Sequence, residues 1–381
     1  MTKVILSVEP IRFPLTGIGR YTFELAKALQ AQGALDDLRL FGATGFVANL
    51  PQAQEQSGNG HRFKGWIQGS RLASEAYRRL MPLVKQRALR HSQDYLYHGP
   101  NFYLPPFAGR MVSTFHDLSP FTWAGCAPPE RARFMQRELR LAVKRADAFI
   151  TDSEFNRQEL ASFFSIPLEK IHAIPLASGA EFQPRAAGEN QPVLAPYDLQ
   201  HGGYSLYVGT IEPRKNLLNL LSAYERLPLP LRQRWPLILS GYRGWQSDKI
   251  HEAISRAECQ GWARYLGFVP TADLPHLLAG ARLFCFPSHY EGFGLPVLEA
   301  MSCGVPVVCS NSSSLPEVVG DTALMTTPED VDGLGRLLQQ GLEDTAWRTQ
   351  ASLAGLARAR AFSWQRCADE TQQVYRQVMT A

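Results

Sequence analysis

No run in this 381-residue chain reaches the ~18 apolar residues of a membrane-spanning helix. The opening segment Met1–Val8 meets Glu9, Pro10 and Arg12 too early to form a secretory signal. Both absences lead us to expect a cytoplasmic protein. The six cysteines (Cys126, Cys259, Cys285, Cys303, Cys309, Cys367) form no CxxC pair and no zinc spacing. Cys285 and Cys309 fall in strand-like runs, where a thiol acts as a small hydrophobe, so reduced structural cysteines are expected. The nine histidines contain no H-E-x-x-H or comparable cluster, and no dedicated metal is expected. Charged residues are only 19% and hydrophobic residues 45%, which excludes a disordered chain and suits two packed cores.

The net charge of +4 is unevenly spread. Residues 1–190 carry 23 Lys/Arg against 17 Asp/Glu; residues 191–381 carry 16 against 18. Within 71–91 lie Arg71, Arg78, Arg79, Lys85, Arg87 and Arg90 with one acid, Glu75. Leu72, Ala76, Leu80, Leu83 and Val84 recur there at helical spacing, and Pro82 is expected to kink the helix or start a second one. The segment reads either as a solvated helix face or as a surface for anionic lipid or an anionic acceptor. Nucleic acid is not expected: no recognised binding motif is present, and the patch has few aromatics.

Short runs rich in Val, Ile, Leu and Phe alternate with helical stretches in both halves. The first half offers Val4–Val8, Leu38–Phe41, Tyr95–His98, Met111–Phe115, Ala148–Thr151 and Ile171–Ile174. The second offers Ser205–Val208, Leu237–Ser240, Arg264–Phe268, Leu283–Pro287, Pro306–Cys309 and Ala323–Thr326. Runs with little alternation suit parallel strands covered on both faces, so the fold class is α/β with two doubly wound sheets. Residues 1–176 would form the first unit, 177–203 a Pro- and Gly-rich linker and 204–362 the second unit. A last helix should start with Ser363 as N-cap and carry Trp364, Cys367, Thr371, Val374, Tyr375 and Val378 on one stripe. Open α/β sheets bind ligands outside their strand C-terminal edges, so a cleft between two such edges would be the site.

Four segments follow strands. In 287–300, Gly292 and Gly294 permit close backbone approach, and Phe293, Gly294 and Leu295 lead into a helix whose first turn holds Pro296, an arrangement open to an anion. Glu291 precedes that helix and Glu299 lies about one turn inside it. A carboxylate is repelled by phosphate, so both are placed on ligand hydroxyls. In 207–216, Arg214 and Lys215 are adjacent cations near a helix start, which a sequence tolerates more readily if an anion binds there; a diphosphate fits. His116–Asp117 ends the strand Met111–Phe115. There, one ring nitrogen could meet a sugar hydroxyl or developing charge while Asp orients the ring. Gly17 and Gly19 are expected in a loop after the first strand and before a helix, but Thr22 replaces the third glycine of a dinucleotide fingerprint, so only backbone contact with a phosphate is inferred. Asp330-Val331-Asp332, a D-x-D, reads as acids at a helix N-terminus.

Glu291-x7-Glu299 within E-G-F-G-L-P-V-L-E-A, with 301–308, resembles the retaining glycosyltransferases of family 4. The segments 208–216, 267–274 and 314–318 are similar to that family as well. In the first unit, the Gly17/Gly19 segment and His116–Ser119 resemble the branch of bacterial O-antigen mannosyltransferases and rhamnosyltransferases. The resemblance implies the GT-B fold, two Rossmann-like domains facing across a cleft, with the last helix crossing back onto the first. It places His116 by the transferred sugar and Glu291 on donor-sugar hydroxyls. Glu299 would bind the ribose, Arg214 and Lys215 the diphosphate, and Gly292–Leu295 backbone groups would assist. Many members carry Arg after the glycine at 209, where this chain has Thr210, so Arg214 and Lys215 would bear the phosphate charge alone. The implied substrates are a nucleotide-diphosphate sugar, favoured as a GDP-hexose, and a lipid-linked glycan acceptor at the inner face of a membrane, with no metal or other cofactor. A UDP-sugar transferase of the same family, a nucleotide-sugar epimerase and a non-catalytic scaffold are the alternatives.

Overall fold

The structure, a computed structural model, describes residues 2–15, 17–52 and 71–380, the side chains of 71–79 excepted. Thirteen strands are found among the described residues, in two sheets. The first holds β1 (Lys3–Ser7), β2 (Asp37–Phe41), β3 (Phe46–Val47), β4 (Leu96–Gly99), β5 (Met111–Phe115), β6 (Ala148–Thr151) and β7 (Ile171–Ala173), in the order β3-β2-β1-β4-β5-β6-β7. The second holds β8 (Ser205–Val208), β9 (Leu237–Ser240), β10 (Ala263–Gly267), β11 (Leu283–Phe286), β12 (Val307–Ser310) and β13 (Leu324–Thr326), in the order β10-β9-β8-β11-β12-β13. Every pairing is parallel except β2 with β3. Central strands such as β5, β9, β11 and β12 are buried along their whole length, because helices cover both faces. In each sheet the order reverses beside the first strand of the unit, β1 or β8, which marks where a ligand crevice opens.

The helices that position the site are α1 (Gly17–Gln32), α2 (Arg71–Leu89), α3 (Pro129–Arg145), α4 (Glu154–Phe164), α5 (Ala187–Leu194), α6 (Leu217–Glu225), α7 (Leu295–Ser302), α8 (Leu315–Val319) and α9 (Trp364–Thr380). Two expectations about them need correction. The 177–203 segment is not a bare linker: it carries α5, whose Asn190 and Leu194 are fully buried. Asn190 earns that helix its place by donating to the His276 carbonyl at 2.9 Å, and Pro192 sits inside at the loss of one intrahelical bond. Likewise Pro82 does not start a second helix: α2 runs through it. Arg71, Leu72, Glu75, Ala76, Arg78 and Arg79 lie outside the described side chains. Of the rest, Leu80, Leu83 and Val84 face solvent rather than a core, and Lys85 is buried and paired with Glu9.

The C-terminal helix α9 starts on Ser363, whose Oγ accepts from the Arg366 amide. It packs along α1 of the first unit: Gln32 donates to the Gln365 carbonyl and to Asp369. Tyr375 reaches the fully buried His98 at 2.7 Å, His98 reaches Thr114 at 2.8 Å, and Thr114 meets Tyr21 at 3.0 Å. Burial pushes His98 down to about 3, so it is a neutral link in that chain. Asp330 of the D-x-D accepts from the Gly333 amide as a helix N-cap. No helix among the described residues is long and apolar enough to cross a membrane.

Candidate active site

The C-terminal edges of the two sheets face each other, and the charged residues gather there. Lys215 Nζ lies 2.6 Å from Glu291 Oε1, and Arg214 lies 3.3 Å from Glu291 Oε2. Arg214 also pairs with Glu212 at 2.8 Å and donates to the Tyr290 carbonyl at 2.7 Å. Arg214 and Lys215 stand on a single tight turn, Pro213–Lys215, ahead of α6; Asn216, in the left-handed region, ends that turn and donates to the Pro287 carbonyl. The two cations thus have an anion beside them, and it is a protein carboxylate. Glu291 sits between the two bases, a pairing that the sequence reading did not foresee. Burial pushes the Glu291 carboxyl up, but Lys215 and Arg214 outweigh it and hold it below its ordinary range.

The main chain around Glu291 is pinned from both sides. Its amide donates to Ser313 Oγ at 2.9 Å, and its carbonyl accepts from Ser314 Oγ at 2.9 Å. Gly292 has no room for a side chain, because a Cβ would overlap the His116 carbonyl oxygen of the opposite unit. Gly294 lies at φ 101° as the N-cap of α7, a conformation that favours glycine, and Leu295 opens the helix. Phe293 is buried edge-on against Phe362.

Glu299 is buried on α7, and burial lifts its carboxyl to about 7; Arg20 opposes the shift and Glu181 adds to it. Arg20, on α1, is itself buried and paired with Glu181 at 2.6 Å. Gly17 and Gly19 correct another expectation. They belong to the first turn of α1 rather than to a loop before it, and Gly19 packs tightly against the Pro10 carbonyl.

His116 departs most from expectation. Its Nδ1 lies 2.7 Å from Asp152 Oδ2 and its Nε2 lies 2.9 Å from the Pro100 carbonyl. Asp117, the expected orienter, instead accepts from the Ser119 amide and hydroxyl. Both ring nitrogens face acceptors, so both carry hydrogens when both bonds form. Burial disfavours the charged ring, yet Asp152 and the Pro100 carbonyl hold His116 above its ordinary range. No ring nitrogen is left for a sugar hydroxyl. Tyr21 packs edge-on against the ring at 4.9 Å, joining it to the chain that ends at Tyr375. Asp152 escaped the sequence reading, although a polar residue directly after the strand Ala148–Thr151 is the signal that singled out the other segments.

Among the described residues, no group of three or more His, Cys, Asp or Glu side chains is arranged to hold a metal ion.

Comparison with known proteins identifies the family. Residues 15–177 match the family described as glycosyltransferase family 4, and residues 200–358 match glycosyl transferases group 1. The chain is 47% identical to O-antigen chain mannosyltransferase B of Escherichia coli, over 98% of this chain and 99% of that protein. It is 34% identical to the serotype-specific mannosyltransferase WbdA of Escherichia coli, over 72% of this chain but 34% of that longer protein. Among solved structures, sucrose-phosphate synthase from Thermosynechococcus elongatus superposes with a TM-score of 0.73 at 19% identity, covering 100% of both chains. WaaG, a glycosyltransferase involved in lipopolysaccharide biosynthesis, superposes with a TM-score of 0.70 at 14% identity, covering 97% of this chain and 99% of that one. The chain belongs to the family 4, group 1 glycosyltransferases, has the GT-B fold and is a hexosyltransferase.

Proposed function

We propose that this enzyme transfers mannose, or a 6-deoxyhexose such as rhamnose, from a GDP-sugar to a lipid-linked glycan in O-antigen-type polysaccharide assembly, with retention at the anomeric carbon. The carrying observation is the Glu291–Lys215–Arg214 cluster at the cleft. The likeness along the whole chain to an O-antigen mannosyltransferase supports the choice of sugar and acceptor. UDP in place of GDP is the alternative donor nucleotide.

In this reading the diphosphate lies over Arg214, Lys215 and the start of α7, and Glu299 accepts from the ribose hydroxyls. Glu291 accepts from hydroxyls of the donor sugar. As the anomeric C–O bond breaks, negative charge grows on the leaving phosphate. Fixed cations in a closed cleft stabilise that charge more in the transition state than in the ground state. These side chains supply the positive charge that a metal supplies elsewhere, so no metal is required. Front-face attack, with a leaving phosphate oxygen taking the acceptor proton, gives retention without a protein nucleophile. His116 contributes a fixed charge pair with Asp152, not a proton shuttle.

The acceptor side has its own space. A cavity of about 430 Å³ in the first unit is lined by Glu9, Lys85, Asn101, Phe102, Tyr103 and Phe134, and it extends to Gly19 and Pro100. Aromatic faces and paired charges suit a glycan, and the Pro100 carbonyl already joins this cavity to His116. The walls come partly from α2 and α3. On its outer face α2 carries the exposed Leu80, Leu83 and Val84. Along α3, Arg133, Arg137, Arg140 and Lys144 fall on one exposed stripe. These two features support peripheral docking on the inner face of an anionic membrane, where a lipid-linked acceptor would be met.

Thermal unfolding with GDP, UDP, ADP and dTDP tests the donor. A nucleotide at about 100 times its Kd adds about 2.7 kcal/mol. Stabilisation by GDP is the expected result; stabilisation by UDP alone would discard the GDP-sugar reading. Glu291→Ala should keep the fold and lose sugar transfer, and full turnover in that variant would remove Glu291 from the site.

A further inference from the structure

One contact between the two units runs through the first turn of a single helix. Helix α4 begins after Ser153, and the amides of Glu154 and Phe155 donate to the carboxylate of Glu317 at 2.8 and 2.6 Å. Glu317 stands on α8 of the second unit. Ser153 Oγ donates to the Gly292 carbonyl at 2.9 Å. Asn156, also buried, donates from one amide nitrogen to two carbonyls: Gly292 at 2.8 Å and His116 at 2.6 Å. One side chain therefore ties the main chain beside Glu291 to the main chain of His116, across the cleft. Next to them, Tyr290 donates to Glu159 at 2.5 Å and accepts from the Leu118 amide at 2.9 Å.

We infer that Glu317 and Asn156 are positioning residues for sugar transfer, because they lock residues 290–292 of the donor loop onto the first unit and so fix Glu291 relative to His116. The inference rests on the reading that Glu291 faces the donor sugar. The chemistry suits a reversible latch. The first amides of a helix lack intrahelical partners and sit at the positive end of its dipole, so an anion is favoured there. When the units part, those amides and the exposed Glu317 carboxylate return to water, and neither is left buried and unpaired. Asn156 is different: it stays in the first unit with its His116 bond and loses only the Gly292 bond. Glu317 thus supplies the charge of the latch, and Asn156 supplies its register.

Glu317→Ala is the direct test, since the side chain is at the surface and its removal leaves the core intact. Turnover should fall at least about tenfold, the scale of a lost charge-assisted hydrogen bond. GDP affinity and thermal stability should stay within about twofold and a few degrees, because the nucleotide site lies mainly in the second unit. Glu317→Gln, whose amide oxygen still accepts, should restore part of kcat without changing KM for the donor. Hydrogen exchange at the Glu154 and Phe155 amides should accelerate in the Ala variant. Asn156→Ala should reproduce the kcat loss with no change in that exchange. Unchanged exchange in Glu317→Ala, or unchanged kcat in both Ala variants, overturns the inference. So does a parallel loss of kcat, GDP affinity and stability, which would mark Glu317 as merely structural. Glu291→Ala separates the two readings: full turnover there sinks the donor-site assignment, whereas the exchange result at residues 154 and 155 stands or falls on the latch alone.

Discussion

Glu299 offers the sharpest quantitative test of the donor site. Its carboxyl is buried at 5% exposure and is lifted to about 7 against an ordinary value of 4.5. A ribose diol is bound best by an ionised carboxylate, which can accept from both hydroxyls. If only the ionised form binds fully, the apparent Kd scales as one plus the ratio of protonated to ionised Glu299. With a value of about 7, that factor is about 11 near pH 6 and about 1.1 near pH 8, a tenfold or about 1.4 kcal/mol gain in affinity. Isothermal titration with GDP across that range measures it. The terminal phosphate of GDP also titrates near pH 6, so Glu299→Gln is the control. The Gln variant should keep the phosphate contribution and lose the rest of the slope. Stability supplies a second reading with its own sign. The folded state holds this proton more tightly than the unfolded chain does, so the stabilising contribution is present below 4.5 and lost as pH rises through about 7. Above that, the buried charge costs the fold about 3 kcal/mol. Glu299→Gln should therefore melt higher than wild type near pH 8 and lose that advantage on acidification. Equal pH slopes for GDP binding in the two proteins would refute the reasoning, and so would a Gln variant that melts lower at pH 8.

Three further outcomes are expected. Asp152→Asn should lower turnover at least about tenfold, because the His116 imidazolium loses a charge-assisted partner. His116 is raised, so the pair stabilises fully below the ordinary histidine value of 6.5, down to where Asp152, itself raised by burial, takes up a proton, and less as pH climbs through the raised His116 value. Thermal melts should accordingly show the Asn variant most destabilised on the acid side of 6.5, and a deficit that grows with pH would contradict the assignment. Gly292→Ala places a Cβ on the His116 carbonyl, and a displacement of about 1 Å should cost about a hundredfold in kcat while GDP still binds. Wild-type kcat in that variant would mean the units do not meet there during turnover. Leu83→Ser with Arg137→Glu should weaken sedimentation with phosphatidylglycerol vesicles by about tenfold or more at low salt. Wild-type binding by the double variant would remove α2 and α3 from the membrane-facing surface.

Most of the architecture was open to sequence reading because buried parallel strands announce themselves as unbroken apolar runs. Twelve strands were located that way, each within a residue at both ends. The strand that was not, β3, is two exposed residues on an antiparallel edge, with too little burial to leave a pattern. Helix α5 was hidden by Pro192 and by a polar anchor, Asn190, which no hydrophobic period reveals. The site divided along the same line. Glu291, Glu299, Arg214 and Lys215 were visible because they lie in short motifs directly after strands or in the helices those motifs open. Asp152 and Asn156 were not, and Glu317 stood out only as part of the family-like segment 314–318 with no role, because each acts on a partner far along the chain. His116 shows the reason most clearly. Adjacent residues leaving a strand point apart, so Asp117 was a poor candidate for its partner. Strand register was the better guide: Phe115 pairs with Thr151, which brings the next residues, His116 and Asp152, side by side.

The charge of the central cluster leads to one more consequence. Glu212, Glu291, Arg214 and Lys215 are two acids and two bases in close contact, so the cluster is neutral as it stands. A diphosphate laid on it must share Arg214 and Lys215 with Glu291. Glu291 therefore works against ground-state binding of the nucleotide, while its contacts with the sugar serve the reaction. Removing its charge and keeping its shape should separate these effects. At an effective dielectric of 20, a unit charge about 4 Å away is worth up to ~4 kcal/mol, of which solvent and relaxation leave part. Glu291→Gln should bind GDP about tenfold or more tightly and transfer sugar far more slowly, the mark of a group that favours the transition state over the ground state. Its melting temperature should fall without ligand, because Lys215 is then buried beside Arg214 with no carboxylate of its own. Weaker GDP binding in Glu291→Gln would show that Glu291 holds the cations in place for the phosphates rather than competing with them.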